Sequence, residues 1–164
     1  MFSSIQTACL PRAALLDPYA QIDGGFTDCY VTDVPGTVTL AAYVTAFYTT
    51  ALFRTERWVL AVAVRKPSTD AEAVALGQGT RDRFSAWHVE GRNDAQLLMC
   101  PVGARTRSWF MVEAIGPTTR LFFGSAVVPV AEGKGLGRGF DMLLGVHSVY
   151  SRALLASAVR RLGK

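Results

Sequence analysis

The strongest periodic pattern in this chain lies at its C-terminal end, over residues 139–162. Residues that are mostly apolar recur there at intervals of three and four, which places them on one face of an α-helix. That face comprises Phe140, Leu143, Leu144, His147, Tyr150, Ser151, Leu154, Leu155, Ala158 and Leu162. Because a long amphipathic helix has to bury its apolar side, the pattern restricts the fold to those in which a terminal helix covers another layer.

Ahead of this helix, four segments are typical of strands in an antiparallel meander. They cover residues 83–90, 95–102, 106–115 and 119–130, and turn-forming residues separate them. Short connections between neighbouring strands imply hairpins. A further strand is predicted at 26–34, where aromatic and β-branched residues favour a half-buried pleated surface.

Two helices are predicted between the first strand and the meander. Apolar residues recur with helical spacing over 38–52, and Thr37 or Thr39 can cap this helix. Its opposite face carries no charge, which suggests that a loop or another subunit covers it. Thr55 can cap a second helix, although the apolar run that follows at 58–64 fits a buried strand equally well.

The order of strand, two helices, antiparallel strands and long helix predicts an α+β fold with the helices on one face of a curved sheet. A length of 164 residues fits a single domain. We expect an N-terminal arm over residues 1–22 and one domain over 23–164. In the strand 106–115 both alternating faces are apolar, so the sequence leaves open which of them points inward.

The composition excludes wholesale disorder, since 50% of the residues are hydrophobic and only 18% are charged. The low charge favours an apolar cavity or a buried interface in addition to the core. The net charge of +4 is scattered, and its one cluster comprises Arg152, Arg160, Arg161 and Lys164. Four cations suit the partial negative charge at a helix C-terminus, so we expect no nucleic-acid binding.

Targeting signals are not indicated. Residues 1–21 lack the basic segment and continuous apolar run of a signal peptide, so we expect a cytoplasmic protein. The stretch 34–53 carries no charge, but it begins with a Pro-Gly turn and contains five threonines. This stretch is interpreted as a buried helix, without membrane insertion.

No metal or cofactor is expected. The chain has three widely spaced cysteines, Cys9, Cys29 and Cys100, and its two histidines lie far apart in sequence. The glycine-rich run at 133–139 fails both phosphate-binding patterns, because Arg or Phe occupies the third glycine position of GxGxxG and no Ser or Thr follows the Gly-Lys pair.

Three residues are candidates for acid–base chemistry. His147 lies on the apolar face of the terminal helix, where it is either a hydrogen-bonded core residue or part of a cavity wall. Glu113 alternates with Trp109 on an apolar strand face, where a buried carboxyl group could act as a general acid. Glu90 shares a strand face with His88, which forms either an acid–base pair or a solvent-exposed face.

Several segments, taken in order and spacing, resemble an uncharacterised bacterial family related to the polyketide-cyclase and lipid-transfer superfamily (START-like, SRPBCC). The resemblance covers about residues 23–160. The matching pieces are Asp28, the segment 52–65 with Phe53, Trp58 and Arg65, the residues 93–97, the run 136–140 and His147 within 145–148. The chain departs from the family at Gln96, where a His is usual, and at Gly145, Val146 and Ser148, which replace Pro, Phe and Arg.

This resemblance implies a helix-grip fold, in which a curved antiparallel sheet surrounds the long C-terminal helix and leaves a cavity between them. It also implies that residues 56–66 are helical. Among the family's site residues, His147 alone carries over. Some members are fused to a nucleotide-binding reductase domain, so the resemblance makes a reductase a possible partner.

Three functions are open at this point. The first is binding of a small hydrophobic molecule in the cavity, and we expect the wall to include Trp109, Phe123, Phe140, His147 and Tyr150. The second is an enzyme of the cyclase or lyase type, in which His147 acts with Glu113 or Glu90 on a carbonyl compound. The third is docking of a second copy, as a homodimer, or of a reductase through the uncharged face of helix 38–52.

Overall fold

The computed structural model of the chain describes residues 4–63, 65, 67–101, 105–129 and 140–163, without the side chains of 56, 59–63 and 140–144. The described ranges contain seven strands and five helices. They are β1 (Gln6–Thr7), α1 (Asp17–Ala20), β2 (Phe26–Pro35), α2 (Leu40–Tyr48), α3 (Ala51–Ala63), α4 (Asp70–Gln78), β3 (Arg83–Phe84), β4 (Trp87–Arg92), β5 (Gln96–Pro101), β6 (Thr106–Ile115), β7 (Thr118–Val127) and α5 (Phe140–Leu162).

The strands form one antiparallel sheet in the order β1-β2-β7-β6-β5-β4-β3. Strands β3 to β7 are a meander of hairpins, as predicted. The last strand of the meander, β7, pairs with β2, which in turn pairs with β1 at the edge of the sheet. The pairing of β2 with β7 runs in continuous register from Phe26 opposite Val127 to Pro35 opposite Thr118. The helix α5 packs against α2, α3 and β2. An antiparallel sheet that holds a long C-terminal helix is a helix-grip fold, and the predicted α+β class is confirmed.

The inner face of the sheet, which we define as the face toward α2 and α5, carries the main core. Aromatic rings dominate it, and Phe47 of α2 lies 4.8 Å from the ring of Phe110 and 4.9 Å from that of Phe123. Tyr43 is fully buried, and its hydroxyl donates a hydrogen bond to the carbonyl of Phe122 at 3.1 Å. Edge-on and tilted ring contacts of this kind add to the free energy gained by burying the rings.

The opposite, outer face carries a second core, which residues 4–22 cover. Leu16 and Trp109 are both fully buried there. Gln96 ties the two layers together, since its Oε1 accepts from the backbone N–H of Leu15 at 2.8 Å and from Trp109 Nε1 at 2.9 Å, and its Nε2 donates to the carbonyl of Ala13 at 3.1 Å. The buried N–H groups of Leu15 and Trp109 thereby find an acceptor inside the core.

The two helices predicted after the first strand correspond to α2 and α3, but they meet at a different position from the predicted one. Thr39 caps α2, as predicted, by accepting from the N–H of Ala42 at 3.1 Å. The chain leaves the helix after Tyr48 and begins α3 at Ala51, where Thr50 Oγ1 accepts from the N–H of Phe53. Thr55 is therefore not a cap. The ambiguous run is helical through residue 63, as the resemblance implied.

The helix α4 was not predicted. Thr69 and Glu72 form a reciprocal capping box at its start, and Gly79 ends it with a φ of +76°. It packs against α2 so closely that a Cβ on Gly77 would lie 2.7 Å from the carbonyl oxygen of Ala41 and 2.6 Å from Thr45 Oγ1. This chain's own α4 therefore covers part of the uncharged face of helix 38–52, at Ala41 and Thr45, and docking of a partner through this helix stays a prediction.

The uncharged stretch 34–53 is shared among the end of β2, the whole of α2 and the start of α3. Most of α2 is buried inside the domain. None of the helices in the described part of the chain combines the length and the apolar character that a membrane span requires.

Candidate functional site

A cavity of about 210 Å³ lies between the inner face of the sheet and α5. Six aromatic residues border it, namely Phe47, Tyr48, Phe53, Trp87, Phe123 and Tyr150. An apolar cavity of about 150 Å³ is enough to hold benzene. This cavity therefore has room for one aromatic ring with small substituents.

A cluster of three polar side chains lies at the edge of the cavity. Asp28 on β2 is the register partner of Ser125 on β7, and its Oδ1 accepts from both the backbone N–H and the hydroxyl of Ser125, at 2.9 and 2.6 Å. His147 on α5 completes the cluster, with Nε2 2.7 Å from Ser125 Oγ and 3.4 Å from Asp28 Oδ2. Strand pairing thus positions two members, and packing of the terminal helix positions the third.

The distances in this cluster define where the protons lie. The contact of 2.6 Å between Ser125 Oγ and Asp28 Oδ1 needs a proton between the two oxygens, because two lone pairs at that distance repel each other. The Ser125 hydroxyl therefore donates to the carboxylate, and its oxygen accepts from His147 Nε2–H. In the neutral imidazole, Nδ1 is then the nitrogen that can accept a proton.

Burial differs sharply across the cluster. The Asp28 side chain is 7% exposed, whereas that of His147 is 36% exposed. Phe26 supports the imidazole edge-on, with ring centroids 6.3 Å apart. The carboxylate is therefore shielded, and the histidine lies where the cavity meets solvent.

Tyr30 lies beside the cluster on the same strand as Asp28. Burial raises the pKa of Tyr30, and the charge of Asp28 acts in the same direction, so this phenol stays neutral at physiological pH. Its hydroxyl donates to Ser148 Oγ at 2.8 Å, and the guanidinium of Arg152 lies 5.0 Å from its ring centre. These contacts join β2 to α5 and help to fix the distance between Asp28 and His147.

A second hollow, of about 690 Å³, lies on the other side of Asp28. Residues of the N-terminal arm border it, together with the start of β2 and with Gly145 and Ser148 of α5. The polar cluster thus stands between the aromatic cavity and this second hollow.

The structure brings together three of the five residues expected in the cavity wall: Phe123, His147 and Tyr150. The side chain of Phe140 lies outside the described residues. The expectation for Trp109 is wrong, because its side chain is on the outer face, where it is fully buried beneath the N-terminal arm. Alternation then places its neighbours Ser108 and Phe110 on the inner face.

The two glutamates that were candidate partners of His147 lie elsewhere. Glu113 is exposed near the end of β6, opposite Arg120 on β7. Glu90 pairs with Arg107 at 2.8 Å and with the hydroxyl of Tyr19 on the arm, on the outer side of the sheet. The predicted acid–base pairs of His147 with Glu113 or Glu90 are therefore wrong.

His88 and Glu90 do share a strand face, but the strand does not continue back to Phe84. A tight turn intervenes, in which Ser85 adopts a positive φ of 52°. Phe84 is consequently paired with Trp87 and buried in the main core, while His88 is half-buried opposite Cys100. The turn reverses the face that simple alternation predicts for Phe84.

Two members of the polar cluster, Asp28 and Ser125, were not among the predicted site residues. Asp28 alternates with Tyr30, Thr32 and Val34, and this spacing places a carboxylate on the inner face of β2. That signal was present in the sequence. Ser125 alternates in the same way with Phe123, but a serine among small residues does not stand out.

Metal ligation finds no support in the described ranges, which contain no cluster of three His, Cys, Asp or Glu side chains placed to share an ion. The polar cluster holds one carboxylate, one imidazole and one hydroxyl. Its chemistry is that of hydrogen bonding and proton transfer.

The antiparallel sheet, the long terminal helix and the cavity between them define a helix-grip protein of the α+β class. No family model and no curated protein matches the sequence. Two solved structures of CalU16 from Micromonospora echinospora are similar to the chain. The solution NMR structure is 10% identical, with a TM-score of 0.38, over 96% of this chain and 73% of CalU16. The crystal structure is 11% identical, with a TM-score of 0.32, over 99% and 94%.

Proposed function

We propose that the protein binds a small, mostly apolar molecule with one polar group in the cavity beneath α5. The observation that carries this proposal is an aromatic cavity of about 210 Å³ with the Ser125–His147 pair at its edge. Ligand sites generally combine an apolar lining with a few convergent polar groups that orient the ligand. Phe123 and Tyr150 supply lining here, and His147 supplies the polar contact.

The apolar and the polar parts of the cavity wall should contribute differently to binding. Transfer of apolar surface from water into the cavity contributes roughly 25 cal/mol per Å² to affinity. The polar pair contributes less to affinity than to orientation, because a ligand group that bonds there gives up a bond to water. Small apolar molecules that lack a polar group should therefore still bind.

Filling the cavity tests the proposal. Ser151 is 1% exposed and borders the cavity from α5, so Ser151→Leu should occupy the space that a ligand needs. Ser157 lies two turns further along the same helix, is half-buried and borders a different groove, so Ser157→Leu is the matched control. The probe is toluene, titrated into each protein and followed by amide NMR shifts.

Toluene should bind the wild type and S157L, with shifts centred on the cavity residues, and should fail to bind S151L. Equal binding to all three proteins, or shifts that avoid the cavity, would contradict the proposal. If S151L does not fold, His147→Ala at the half-exposed edge gives the second test: it should leave the fold and toluene binding intact and weaken the binding of phenol, and equal loss of both ligands or of neither would contradict the polar contact. Native mass spectrometry of protein purified from its own host would identify the natural ligand.

A further inference from the structure

We infer that the ligand carries an acidic hydroxyl group, phenolic or enolic, and that His147 accepts its proton when the ligand binds. This inference rests on the proposed function and deepens it, because it names the ligand class and adds a proton-transfer step. It is carried by the geometry of Asp28, Ser125 and His147 at the edge of the aromatic cavity.

The hydrogen-bond chain prepares the imidazole as a base. Asp28 Oδ1 accepts a hydrogen bond from the Ser125 hydroxyl, so Ser125 Oγ in turn accepts from His147 Nε2–H at 2.7 Å. The neutral ring is thereby held in the tautomer whose Nδ1 carries a lone pair. Among the described residues none forms a hydrogen bond with Nδ1, which leaves that nitrogen for a ligand or for water.

The second carboxylate oxygen compensates the charge that the step creates. Asp28 Oδ2 is buried and accepts no hydrogen bond from the described residues, and it faces His147 Nε2 at 3.4 Å. When a ligand O–H bond breaks, its proton forms a bond to Nδ1 and the electron pair stays on the ligand oxygen. The resulting imidazolium then lies beside a carboxylate that is already desolvated, so the positive charge is stabilised.

The same charge selects the class of ligand. A carboxylic acid would arrive ionised at neutral pH and place a second anion near Asp28, which costs free energy. An aliphatic alcohol holds its proton too tightly to yield it to an imidazole. A phenol or an enol arrives neutral and fits among aromatic rings, and one whose pKa lies near that of histidine can yield its proton to the imidazole.

The other charged and titratable groups near the ring do not take over this role. Tyr30 interacts with the Asp28 carboxyl group, but its hydroxyl donates to Ser148 Oγ and its ring contacts the guanidinium of Arg152. Tyr150 borders the cavity from the same helix as His147. Arg107 also borders the cavity, but its guanidinium pairs with Glu90 and lies over the ring of Tyr19, on the outer side of the sheet.

The test uses 4-nitrophenol, a single substituted ring that titrates near neutral pH and absorbs at a longer wavelength when ionised. Below the midpoint of the free dye, binding to the wild type should raise the ratio of ionised to neutral dye about tenfold, which is one unit in its apparent midpoint. His147→Gln keeps an amide donor for Ser125 but has no basic nitrogen, so the bound dye should stay neutral. His88→Gln removes the other histidine, which lies on β4 away from the cavity, and should behave like the wild type.

Toluene binding distinguishes a failure of the inference from a failure of the proposed function. If toluene and 4-nitrophenol both bind but the bound dye stays neutral, or H147Q ionises it as fully as the wild type does, the inference is overturned and the proposed function stands. The inference also fails if toluene binds and 4-nitrophenol does not. If neither molecule binds, the proposed function fails, and the inference fails with it.

Discussion

Ser125 donates both its backbone N–H and its hydroxyl to the same carboxylate oxygen of Asp28, across the β2–β7 pair. Removing the hydroxyl with Ser125→Ala takes away a hydrogen bond to a charged, buried group. We expect a loss of about 1–3 kcal/mol in the free energy of unfolding, measured by urea denaturation. Ser157→Ala on α5, which removes a half-buried hydroxyl, should change it by less than about 0.5 kcal/mol. Equal effects would show that the Asp28 contact adds nothing to stability.

A close helix crossing makes Gly77 sensitive to a single methyl group. A Cβ at this position would lie 2.7 Å from the backbone oxygen of Ala41, which cannot move aside as a flexible side chain would. Gly77→Ala should therefore separate α4 from α2 and destabilise the protein by about 1–3 kcal/mol.

Gly145 provides the matched control for this substitution. It also lies within a helix, but a Cβ there has no neighbour within 4 Å among the described residues. Gly145→Ala should stabilise the protein by up to about 1 kcal/mol, because alanine restricts the unfolded chain and favours helix. Thermal unfolding of both variants checks the pair, and similar shifts in Tm would contradict the packing described for α4.

Gln96 holds the N-terminal arm on the sheet through three hydrogen bonds. Gln96→Leu would leave the buried N–H groups of Leu15 and Trp109 without their acceptor, and we expect a loss of about 2–4 kcal/mol. Gln78→Leu, at an exposed position in α4, is the control for the change in polarity. Amide hydrogen exchange should be faster over residues 13–16 in Q96L. Unchanged exchange there would mean that Gln96 does not anchor the arm.

The bidentate pair between Asp33 and Arg120 makes stability depend on pH. Hydrogen bonds from Arg120 at 2.8 and 3.0 Å lower the pKa of Asp33 below its ordinary value. The stabilisation is therefore fully present above the unfolded-state value of about 3.9 and is lost as the pH falls through the folded-state pKa. Because both side chains are about one-third exposed, we expect at most about 1 kcal/mol.

Urea denaturation of Asp33→Asn over an acidic pH series measures this contribution. The variant should be less stable than the wild type at neutral pH, and the difference should vanish at the acid end of the series. Asp94→Asn, at an exposed turn carboxyl, is the control. A difference between D33N and the wild type that persists at the lowest pH would show that the ion pair is not its source.

The three cysteines should differ in reactivity. Burial raises the pKa of Cys29 to about 12, and it also raises the pKa of Cys100, whereas Cys9 is exposed. Since the thiolate is the reactive form, iodoacetamide at mildly alkaline pH should label Cys9 alone in the native protein. Mass spectrometry of the wild type and of Cys9→Ser checks this expectation.

A second variant relates that labelling to the arm. Leu16 is fully buried over the outer core that contains Cys29. Leu16→Ala should loosen the arm and speed up the labelling of Cys29. If Cys29 reacts as fast as Cys9 in the wild type, the arm does not shield the sheet in solution.

The elements with a local signal could be predicted from the sequence. The strand β6 has the predicted bounds, and β2, β7 and α5 differ by only a few residues. Alternation, helical periodicity and turn residues are all properties of residues that are neighbours in the sequence, so they can be recognised without the tertiary structure. The helix α4 was not predicted because its buried residues include Ala73 and Gly77, two small residues that create no apolar stripe.

The site was only partly accessible to sequence reasoning. His147 and two of its aromatic neighbours were identified from one helical face and one strand. Asp28 and Ser125 are 97 positions apart in the sequence, and only the pairing of β2 with β7 brings them into contact. Contacts over such separations depend on strand pairing and on loop paths that the local pattern does not encode.

The sequence by itself determined the α+β class, the antiparallel meander and a long terminal helix with a histidine on its buried face. Only the tertiary structure decided which side of the sheet that helix covers. Both faces of β6 are apolar, so alternation distinguishes Trp109 from Phe110 without saying which of them meets α5. Which face of β6 meets α5 depends on where the N-terminal arm and α5 pack. Burial stabilises either apolar face, and the pattern of neither segment specifies the face that it covers.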